Sequence, residues 1–138
     1  MRLITQGAEA IIYVNNEGKL VKDRVKKGYR LDRIDLEIRV RRTKAEANLL
    51  REARAAGVDT PQMIDMTENT LIMQFIDGST IKDILNSDNC IELCEKIGSV
   101  LAKLHVADIV HGDFTTSNMI YFDNRIFAID FGLGFTSR

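Results

Sequence analysis

The segment that decides the fold reads HGDFTTSN at positions 111–118 and, after a short apolar stretch, AIDFGLG at positions 128–134. The apolar stretch has a polar Asp-Asn dipeptide at its centre, a pattern that predicts a β-hairpin. Asp113 and Asn118 therefore share one loop, and Asp130 follows the second strand of the hairpin. The sequence thus predicts a loop and a strand end that both carry side-chain oxygen ligands.

Upstream of this segment, the chain predicts an antiparallel sheet and one long helix. Residues 2–25 read as three strands joined by turns, the second of which falls at Asn15–Gly18. Ala, Leu, Arg and Glu dominate residues 33–56, where apolar residues recur at helical spacing, so this range predicts a helix. Gly57 follows, where a helix C-cap belongs. Two short strands around a turn at Thr67–Asn69 complete the predicted sheet.

Two helices are expected between this sheet and the opening segment. A short helix is predicted over residues 81–85 and a longer one over residues 90–106. The longer helix is expected to bury one apolar stripe, which comprises Leu93, Ile97, Val100, Leu101 and Leu104.

Together these elements predict an α+β protein with two lobes and a cleft between them. We expect an N-terminal lobe over residues 1–73, with the antiparallel sheet and the helix at about 33–56. A hinge over residues 74–78 would lead to a partial C-terminal lobe over residues 79–138. The chain ends at Arg138, so we expect a minimal fold whose second lobe is truncated after the AIDFGLG stretch.

The composition fits one globular domain. The chain has 138 residues, of which 45% are apolar and 28% charged, and its net charge is −1. No apolar run approaches the roughly 18 residues that a membrane span needs. The N-terminus lacks the cleavage pattern of a signal peptide. We therefore expect a cytoplasmic protein without a membrane partner.

Positive charge is concentrated in one part of the chain. Thirteen of the nineteen Lys and Arg residues lie between Lys19 and Arg54, against six acidic residues in the same range. Such a segment is either a solvated helix face or a surface that meets anions or nucleic acid. Composition alone favours the solvated face.

The oxygen-bearing residues suit phosphoryl transfer from ATP. That chemistry needs cations beside the phosphates, oxygen ligands for Mg²⁺ and a carboxylate that orients the nucleophile. In protein kinases, an Asn follows the catalytic-loop Asp by five residues, and Asp-Phe-Gly comes about a dozen residues later. Asp113, Asn118 and Asp130 meet both spacings.

Three upstream features agree with this interpretation. Lys22 lies in a predicted strand and Glu46 in the long helix, where the two members of the kinase ion pair belong. QGAEA, at positions 6–10, lies between the first two strands, where the loop over the phosphates belongs. Each feature alone is common in proteins without this chemistry. The loop with Asp113 and Asn118, the Asp-Phe-Gly stretch and these three features make five in all. Their order along the chain and their positions on the expected elements predict an ATP site.

The chain closely resembles the small kinase-like ATPase subunit of the KEOPS complex, which takes part in making threonylcarbamoyl-adenosine in tRNA and is an atypical Ser/Thr protein kinase. The resemblance spans essentially the whole chain. It is carried by QGAEA (6–10), YR (29–30), EA (46–47), HGDFTTSN (111–118) and IDFGLGF (129–135).

The resemblance implies a role for each predicted site residue. Lys22 would hold the α and β phosphates and pair with Glu46, while Asp113 would be the catalytic carboxylate. Asn118 and Asp130 would bind Mg²⁺. The other contacts with ATP would come from the phosphate loop and the hinge: Gln6, Gly7, Ala8, Glu9, Met73, Gln74, Phe75 and Ile76. His111 is expected to pack near the Asp-Phe-Gly turn without transferring a proton.

The resemblance also implies partners. The threonylcarbamoyl-transferase subunit would bind against the kinase, and a further small subunit would bind the N-terminal lobe. The basic segment Lys22–Arg42 would help to hold tRNA. Two alternatives stay open: a non-catalytic scaffold or tRNA-binding subunit of the same complex, and a small-molecule phosphotransferase that shares His-Gly-Asp.

Several positions depart from the usual kinase pattern. Gly112 stands where regulated kinases carry the Arg that meets an activation-loop phosphate, so we do not expect switching by loop phosphorylation. Thr115 stands where many kinases carry a Lys that contacts the γ-phosphate, which favours hydrolysis over transfer to protein. The phosphate loop has a single glycine, and the hinge has Gln74 where an acidic residue is usual.

Overall fold

The computed structural model describes residues 1–6, 10–26, 28 and 31–138. The strands of these residues pair antiparallel and come in runs between the helices, which confirms the predicted α+β class. The helices are α1 (Asp32–Ala55), α2 (Ile81–Ile84) and α3 (Cys90–Val106), with one turn of 3₁₀ helix at Thr116–Asn118. The strands are β1 (Arg2–Gln6), β2 (Ala10–Val14), β3 (Leu20–Arg24), β4 (Met63–Met66), β5 (Thr70–Met73), β6 (Ser79–Thr80), β7 (Ile109–Val110), β8 (Met119–Phe122), β9 (Arg125–Ala128) and β10 (Phe135–Thr136).

The first half of the chain forms an antiparallel sheet in the order β1-β2-β3-β5-β4. The predicted turn between β2 and β3 is confirmed. Its geometry comes from Asn15, whose side-chain oxygen accepts the backbone N–H groups of Glu17 and Lys19, each at 3.0 Å. Such side-chain bonds satisfy the backbone where the chain reverses. In this strand order, β3 is the central strand of the sheet.

Helix α1 packs on the sheet through its second half. Ala47, Leu50 and Ala53 are each at most 2% exposed and lie in the core beside β4 and β5. The apolar residues that recur at helical spacing were expected to be buried along the whole helix. In the first half this is wrong for Ile34, which is 48% exposed. Buried positions there are instead polar, such as Asp35 and Thr43. This half of α1 consequently contributes polar groups rather than packing.

The second half of the chain places α3 against β7 and β9. Leu93, Val100 and Leu104 are buried as predicted, and Ile97 is half-buried. Leu101 was expected in the same stripe, but it is 36% exposed. It lies about 100° round the helix from Val100 and so falls at the margin of the buried face.

The hairpin predicted from the opening segment is confirmed as β8–β9. Its two turn residues, Asp123 and Asn124, have φ values of 53° and 61°. Two positive φ values define the type I′ turn, whose twist matches that of the flanking strands. Strand β9 thereby delivers the chain to the Asp-Phe-Gly stretch.

Both halves share one core, and residues 74–78 connect them. Buried residues from α1, β5, α2, α3 and β9 belong to a single apolar cluster. Strand β5 ends at Met73 and β6 begins at Ser79, so the predicted hinge carries neither helix nor strand. Within the described ranges, no helix combines the length and apolar character needed to cross a membrane.

Gly112, in the HGDFTTSN loop, lies close to the backbone of Leu133. It has a φ of +86°, and a Cβ atom at this position would overlap the backbone carbonyl of Leu133. The loop can therefore approach the stretch after Asp-Phe-Gly only because residue 112 lacks a side chain.

We expect Gly112→Ala to destabilise the fold more than Gly18→Ala. Gly18 also has a positive φ, +74°, but a Cβ there meets no atom within 4 Å. The control carries only the cost of the left-handed backbone, about 1–2 kcal/mol, whereas Gly112→Ala adds a steric overlap. Urea unfolding would measure both free energies. Equal losses in the two variants would contradict the close approach.

Candidate active site

A cavity of about 510 Å³ separates the sheet from the second half of the chain. Its walls include most of the predicted site residues: Lys22, Glu46, Met73, Gln74, Phe75, Ile76, Asn118 and Asp130. Asp113 lines a second cavity that shares Lys22 and Asp130 with the first. Gln6, at the end of β1, is exposed and lines neither cavity. Gly7, Ala8, Glu9 and the Tyr29-Arg30 pair lie outside the described residues.

Glu46 is the most connected side chain of the site. It is 1% exposed, and its carboxylate lies 3.0–3.1 Å from the Lys22 ammonium. The same carboxylate accepts a hydrogen bond from Arg24 Nη2 at 3.0 Å and one from the Phe131 backbone N–H at 3.2 Å. The ion pair that the resemblance implied is therefore present. It also reaches the Asp-Phe-Gly stretch directly.

Asp130 stands beside this pair. Its Oδ1 accepts hydrogen bonds from Lys22 Nζ at 3.1 Å and from the Gly132 N–H at 3.2 Å. Its backbone has a φ of 57°, a left-handed conformation that is uncommon outside glycine. The turn this makes directs the carboxylate back toward Lys22.

The pKa of Asp130 results from opposing effects. Burial by itself raises the pKa of the carboxyl group, since it disfavours the charged form. The Lys22 ammonium, the Gly132 N–H and, more weakly, His111 lower it by more, so the pKa lies below its ordinary value. Asp130 is consequently ionised at neutral pH, the form that binds a metal ion.

His111 connects the HGDFTTSN loop to the end of β9. Its Nδ1 accepts the Asp113 N–H at 3.1 Å, so Nε2 carries the proton and donates to the Ile129 carbonyl at 2.8 Å. The ring is 3% exposed and packs against Phe114 and Phe131, with centroids 5.2 and 4.5 Å away. Both ring nitrogens are occupied. The predicted packing near the Asp-Phe-Gly turn is thus confirmed.

Asn118 is fixed between the same two segments. Its Nδ2 donates to Asp113 Oδ2 at 3.1 Å and to the Asp113 carbonyl at 3.0 Å. The backbone carbonyl of Asn118 accepts a hydrogen bond from the Ile129 N–H at 3.1 Å. The amide nitrogen is engaged with Asp113, so the amide oxygen is the side-chain atom of Asn118 that could bind a cation.

These donors fit Mg²⁺ bound together with a nucleotide. Asp130 offers an ionised carboxylate and Asn118 an amide oxygen, and both line the first cavity. Mg²⁺ is commonly held by one or two protein oxygens, with phosphate and water completing the shell. In the part of the chain that the structure describes, no three His, Cys, Asp or Glu side chains form a ready-made metal site. Asn118 and Asp130 thus offer two protein oxygens to a metal whose other ligands would be phosphate and water.

The hinge lines the cavity, and Gln74 at its start is bonded to Gln62. The Gln74 N–H donates to the Gln62 carbonyl at 2.9 Å, and the Gln74 side chain accepts the Gln62 N–H at 3.3 Å. The Gln74 side chain is thereby occupied with Gln62, so its identity matters little to a ligand. The Arg2 guanidinium lies over the Phe75 ring, 5.2 Å from its centroid, and both residues line the cavity.

Sequence reasoning missed Arg24 and Arg2. Arg24 follows Lys22 by two positions on β3, and alternate residues of a strand point to the same face. That period-2 relationship could have assigned Arg24 to the site once Lys22 was placed there. Arg2 gave no such signal, because it lies in β1 and contacts Phe75, which follows β5 and is more than 70 positions away in the sequence.

We expect Lys22→Met to raise the pKa of Asp130. The substitution removes the ammonium that lowers this pKa, while the burial that raises it remains. The pH dependence has a defined sign, because a lowered carboxyl pKa adds stability that is lost as pH falls through the folded value. In Lys22→Met, the free energy of unfolding should therefore fall less as the pH is lowered than it does in the wild type.

A ¹³C NMR titration of the Asp130 carboxyl carbon would measure the shift. Lys26→Met is the matched control, because Lys26 pairs with Asp32 on the exposed surface. An Asp130 pKa that is the same in both variants would contradict the assigned cause.

Comparison with known proteins agrees with this geometry. A family model described as the RIO domain matches residues 14–134. A solved Rio2 kinase from Chaetomium thermophilum superposes with a TM-score of 0.79 at 15% identity, covering 99% of this chain and 50% of that one. A second structure of that kinase, titled as an ADP/Mg²⁺-phosphoaspartate complex, gives a TM-score of 0.77 at 14% identity, covering 99% and 49%. These likenesses confirm the kinase-like fold.

More similar relatives are named as KEOPS subunits or as tRNA threonylcarbamoyladenosine biosynthesis proteins. The EKC/KEOPS complex subunit BUD32 of Encephalitozoon cuniculi is 43% identical over 96% of this chain and 67% of its own length. The KEOPS complex subunit Bud32 of Pyrococcus abyssi is 42% identical over the same shares. A probable bifunctional tRNA threonylcarbamoyladenosine biosynthesis protein of Methanosarcina barkeri is 47% identical over 99% of this chain and 25% of its own length. The chain thus spans about two thirds of the first two relatives and a quarter of the third. It belongs to the RIO domain family and, within that family, to the Bud32-type subunits of KEOPS complexes.

Proposed function

We propose that the chain binds Mg-ATP in the cleft and transfers its terminal phosphoryl group, as an atypical Ser/Thr kinase and ATPase. One observation carries this proposal: Lys22 lies between the carboxylates of Glu46 and Asp130 at the wall of the cavity. A buried lysine held in this way is a fixed cation for phosphate oxygens. A fold that served only as a scaffold has no physical need for it.

Each side chain has a distinct task in this reaction. Lys22 would bind phosphate oxygens of the nucleotide, and Glu46 would keep its ammonium in place. Asp113 would accept the proton of the attacking hydroxyl or water, and ADP would leave as the new phosphorus–oxygen bond forms. Mg²⁺, when bound by Asn118 and Asp130, supplies charge neutralisation at the phosphates.

The hinge would contribute base recognition. Gln74, Phe75 and Ile76 line the cavity, and both the side chain and the N–H of Gln74 are bonded to Gln62. The remaining backbone amides and carbonyls of the hinge would then meet adenine, as they do in kinases generally. Hydrolysis is favoured over transfer to protein, because Thr115 supplies no cation for the γ-phosphate.

The biological setting that we propose is a KEOPS complex acting in tRNA threonylcarbamoyladenosine modification. The support comes from relatives named as KEOPS subunits and from the bifunctional proteins of Methanosarcina. The threonylcarbamoyl-transferase subunit is the expected partner of the kinase-like chain, and a small subunit is expected on the N-terminal sheet.

Asp130→Asn should reduce Mg²⁺-dependent ATP hydrolysis by about 100-fold or more, because the amide cannot supply the ionised oxygen that the metal needs. Hydrolysis would be measured for the chain alone and with the transferase partner and tRNA. Asp88→Asn is the control, since Asp88 is exposed and lines neither cavity. Equal turnover in Asp130→Asn and the wild type would sink the proposed catalytic role.

A second candidate function is tRNA binding through the basic segment Lys22–Arg42. The observation that favours it is exposure, since Lys26, Arg33 and Arg41 all lie at the surface. Positive side chains at a surface bind nucleic-acid phosphates and release counterions. This function is compatible with catalysis and would bring tRNA to the same complex.

Replacing both Arg33 and Arg41 with Gln should flatten the salt dependence of tRNA binding. Each lost phosphate contact lowers the slope of log K against log salt by about 0.7–0.9, so the pair should lower it by about 1.5. Fluorescence titrations at several salt concentrations would give the slope. The control replaces Lys82 and Lys103, which are exposed cations of α2 and α3. Identical slopes for both double variants would exclude this surface.

A further inference from the structure

Strand β1 has little packing to hold it in place. It lies at one edge of the sheet, where its backbone pairs with β2 alone, and all five of its residues are exposed. A segment with few buried contacts and an unpaired edge is displaced locally at low cost. Arg2, Ile4 and Thr5 nevertheless line the first cavity. The strand therefore borders the cavity without being fixed there by a core.

A β-bulge directs side chains of β1 to this cavity. Leu3 pairs with Tyr13 and Thr5 pairs with Ile12, so Ile4 is an extra residue that has no partner in β2. Bulges are common next to active sites, where they redirect a side chain. Ile4 and Thr5 are consecutive in the sequence, and both line the cavity. Ile4 remains 45% exposed, which indicates an apolar surface that a ligand can cover.

A cation–π contact joins β1 to the hinge. Arg2 Cζ lies 5.2 Å from the centroid of the Phe75 ring, and such contacts are favourable within about 6 Å. Both residues line the first cavity, and neither lines the second cavity, to which Asp113 belongs. The contact therefore lies at the hinge end of the site, away from the predicted catalytic carboxylate.

We propose that Arg2 is a positioning residue for the nucleotide. Its contact with Phe75 holds β1 across the hinge end of the cavity, where β1 covers the base and the ribose. This inference rests on the proposed function, because the occupant of that end is the adenosine part of Mg-ATP.

The role of Arg2 is in binding rather than in phosphoryl transfer. The transfer takes place beside Lys22 and Asp130, and Arg2 lies at the hinge with Phe75. An interaction that is equally strong in the ground state and the transition state changes KM and leaves kcat unaltered.

A positive charge beside the cavity could also act by attracting the phosphates. That attraction is screened by salt over about 8–10 Å, and it requires a ligand that carries phosphate. Placement of β1 over the base and ribose affects adenosine and Mg-ADP alike. The two explanations therefore predict different results for a ligand without phosphate.

Calorimetric titrations of Mg-ADP and of adenosine into the full chain test the role of Arg2. We expect Arg2→Met to weaken the binding of both ligands by about three- to tenfold, the range that a cation–π contact supports. Arg2→Lys keeps a cation and should retain part of the affinity. Arg51→Met is the matched control, because Arg51 is an exposed arginine that does not line the first cavity. Its affinities should match those of the wild type.

A double-mutant cycle tests the route through Phe75. In the Phe75→Leu background, Arg2→Met should have almost no further effect on binding, because the ring that Arg2 contacts is absent. ATP hydrolysis by Arg2→Met should show a raised KM and an unchanged kcat. Its free energy of unfolding in urea should equal that of the wild type, since Arg2 is exposed.

The outcomes separate this inference from the proposed function. Arg2→Met that binds both ligands like Arg51→Met would overturn the inference, and so would an equal loss in the Phe75→Leu background. A loss for Mg-ADP alone would also overturn it and would assign Arg2 to phosphate attraction. Wild-type protein that binds neither ligand would defeat both proposals. Weakened binding of both ligands by Arg2→Met, in a chain without ATP turnover, would support the role of Arg2 and defeat only the proposed function.

Discussion

The buried carboxylate of Glu46 is the constraint on which the site depends. It joins three parts of the chain that are distant in sequence: strand β3 through Lys22 and Arg24, helix α1, and the Asp-Phe-Gly stretch through the Phe131 N–H. A charge buried to this extent must be paired, because removing one partner of a buried pair costs about 3–5 kcal/mol. The helix is thereby held at the position that presents Lys22 to the cleft.

In the second half of the chain, hydrogen bonds of His111, Asn118 and Asp130 hold the HGDFTTSN loop and the end of β9 together. His111 connects the loop at Asp113 to the strand end at Ile129, and Asn118 makes a second connection between them. The left-handed turn at Asp130 then returns a carboxylate to Lys22. Charge and hydrogen bonds, together with the packing of Phe131 in the core, therefore set the relative positions of the groups that would meet the phosphates.

The sequence predicted the fold well where local rules act alone. The Asn15–Gly18 turn, the Asp123-Asn124 hairpin and helix α3 all follow from turn chemistry and apolar periodicity. It failed where tertiary contacts decide, as with Leu101 at the margin of α3 and the polar first half of α1. Arg24 escaped notice although it shares a strand face with Lys22, because the partner that makes its burial possible, Glu46, lies on another element.

The most direct test of the account is a crystal structure of the chain with a non-hydrolysable ATP analogue and Mg²⁺. The account predicts adenine against the backbone of Gln74–Ile76, phosphate oxygens beside Lys22, and the metal bound by Asn118 and Asp130. A nucleotide whose phosphates lie away from Lys22, or a metal bound without Asp130, would contradict it.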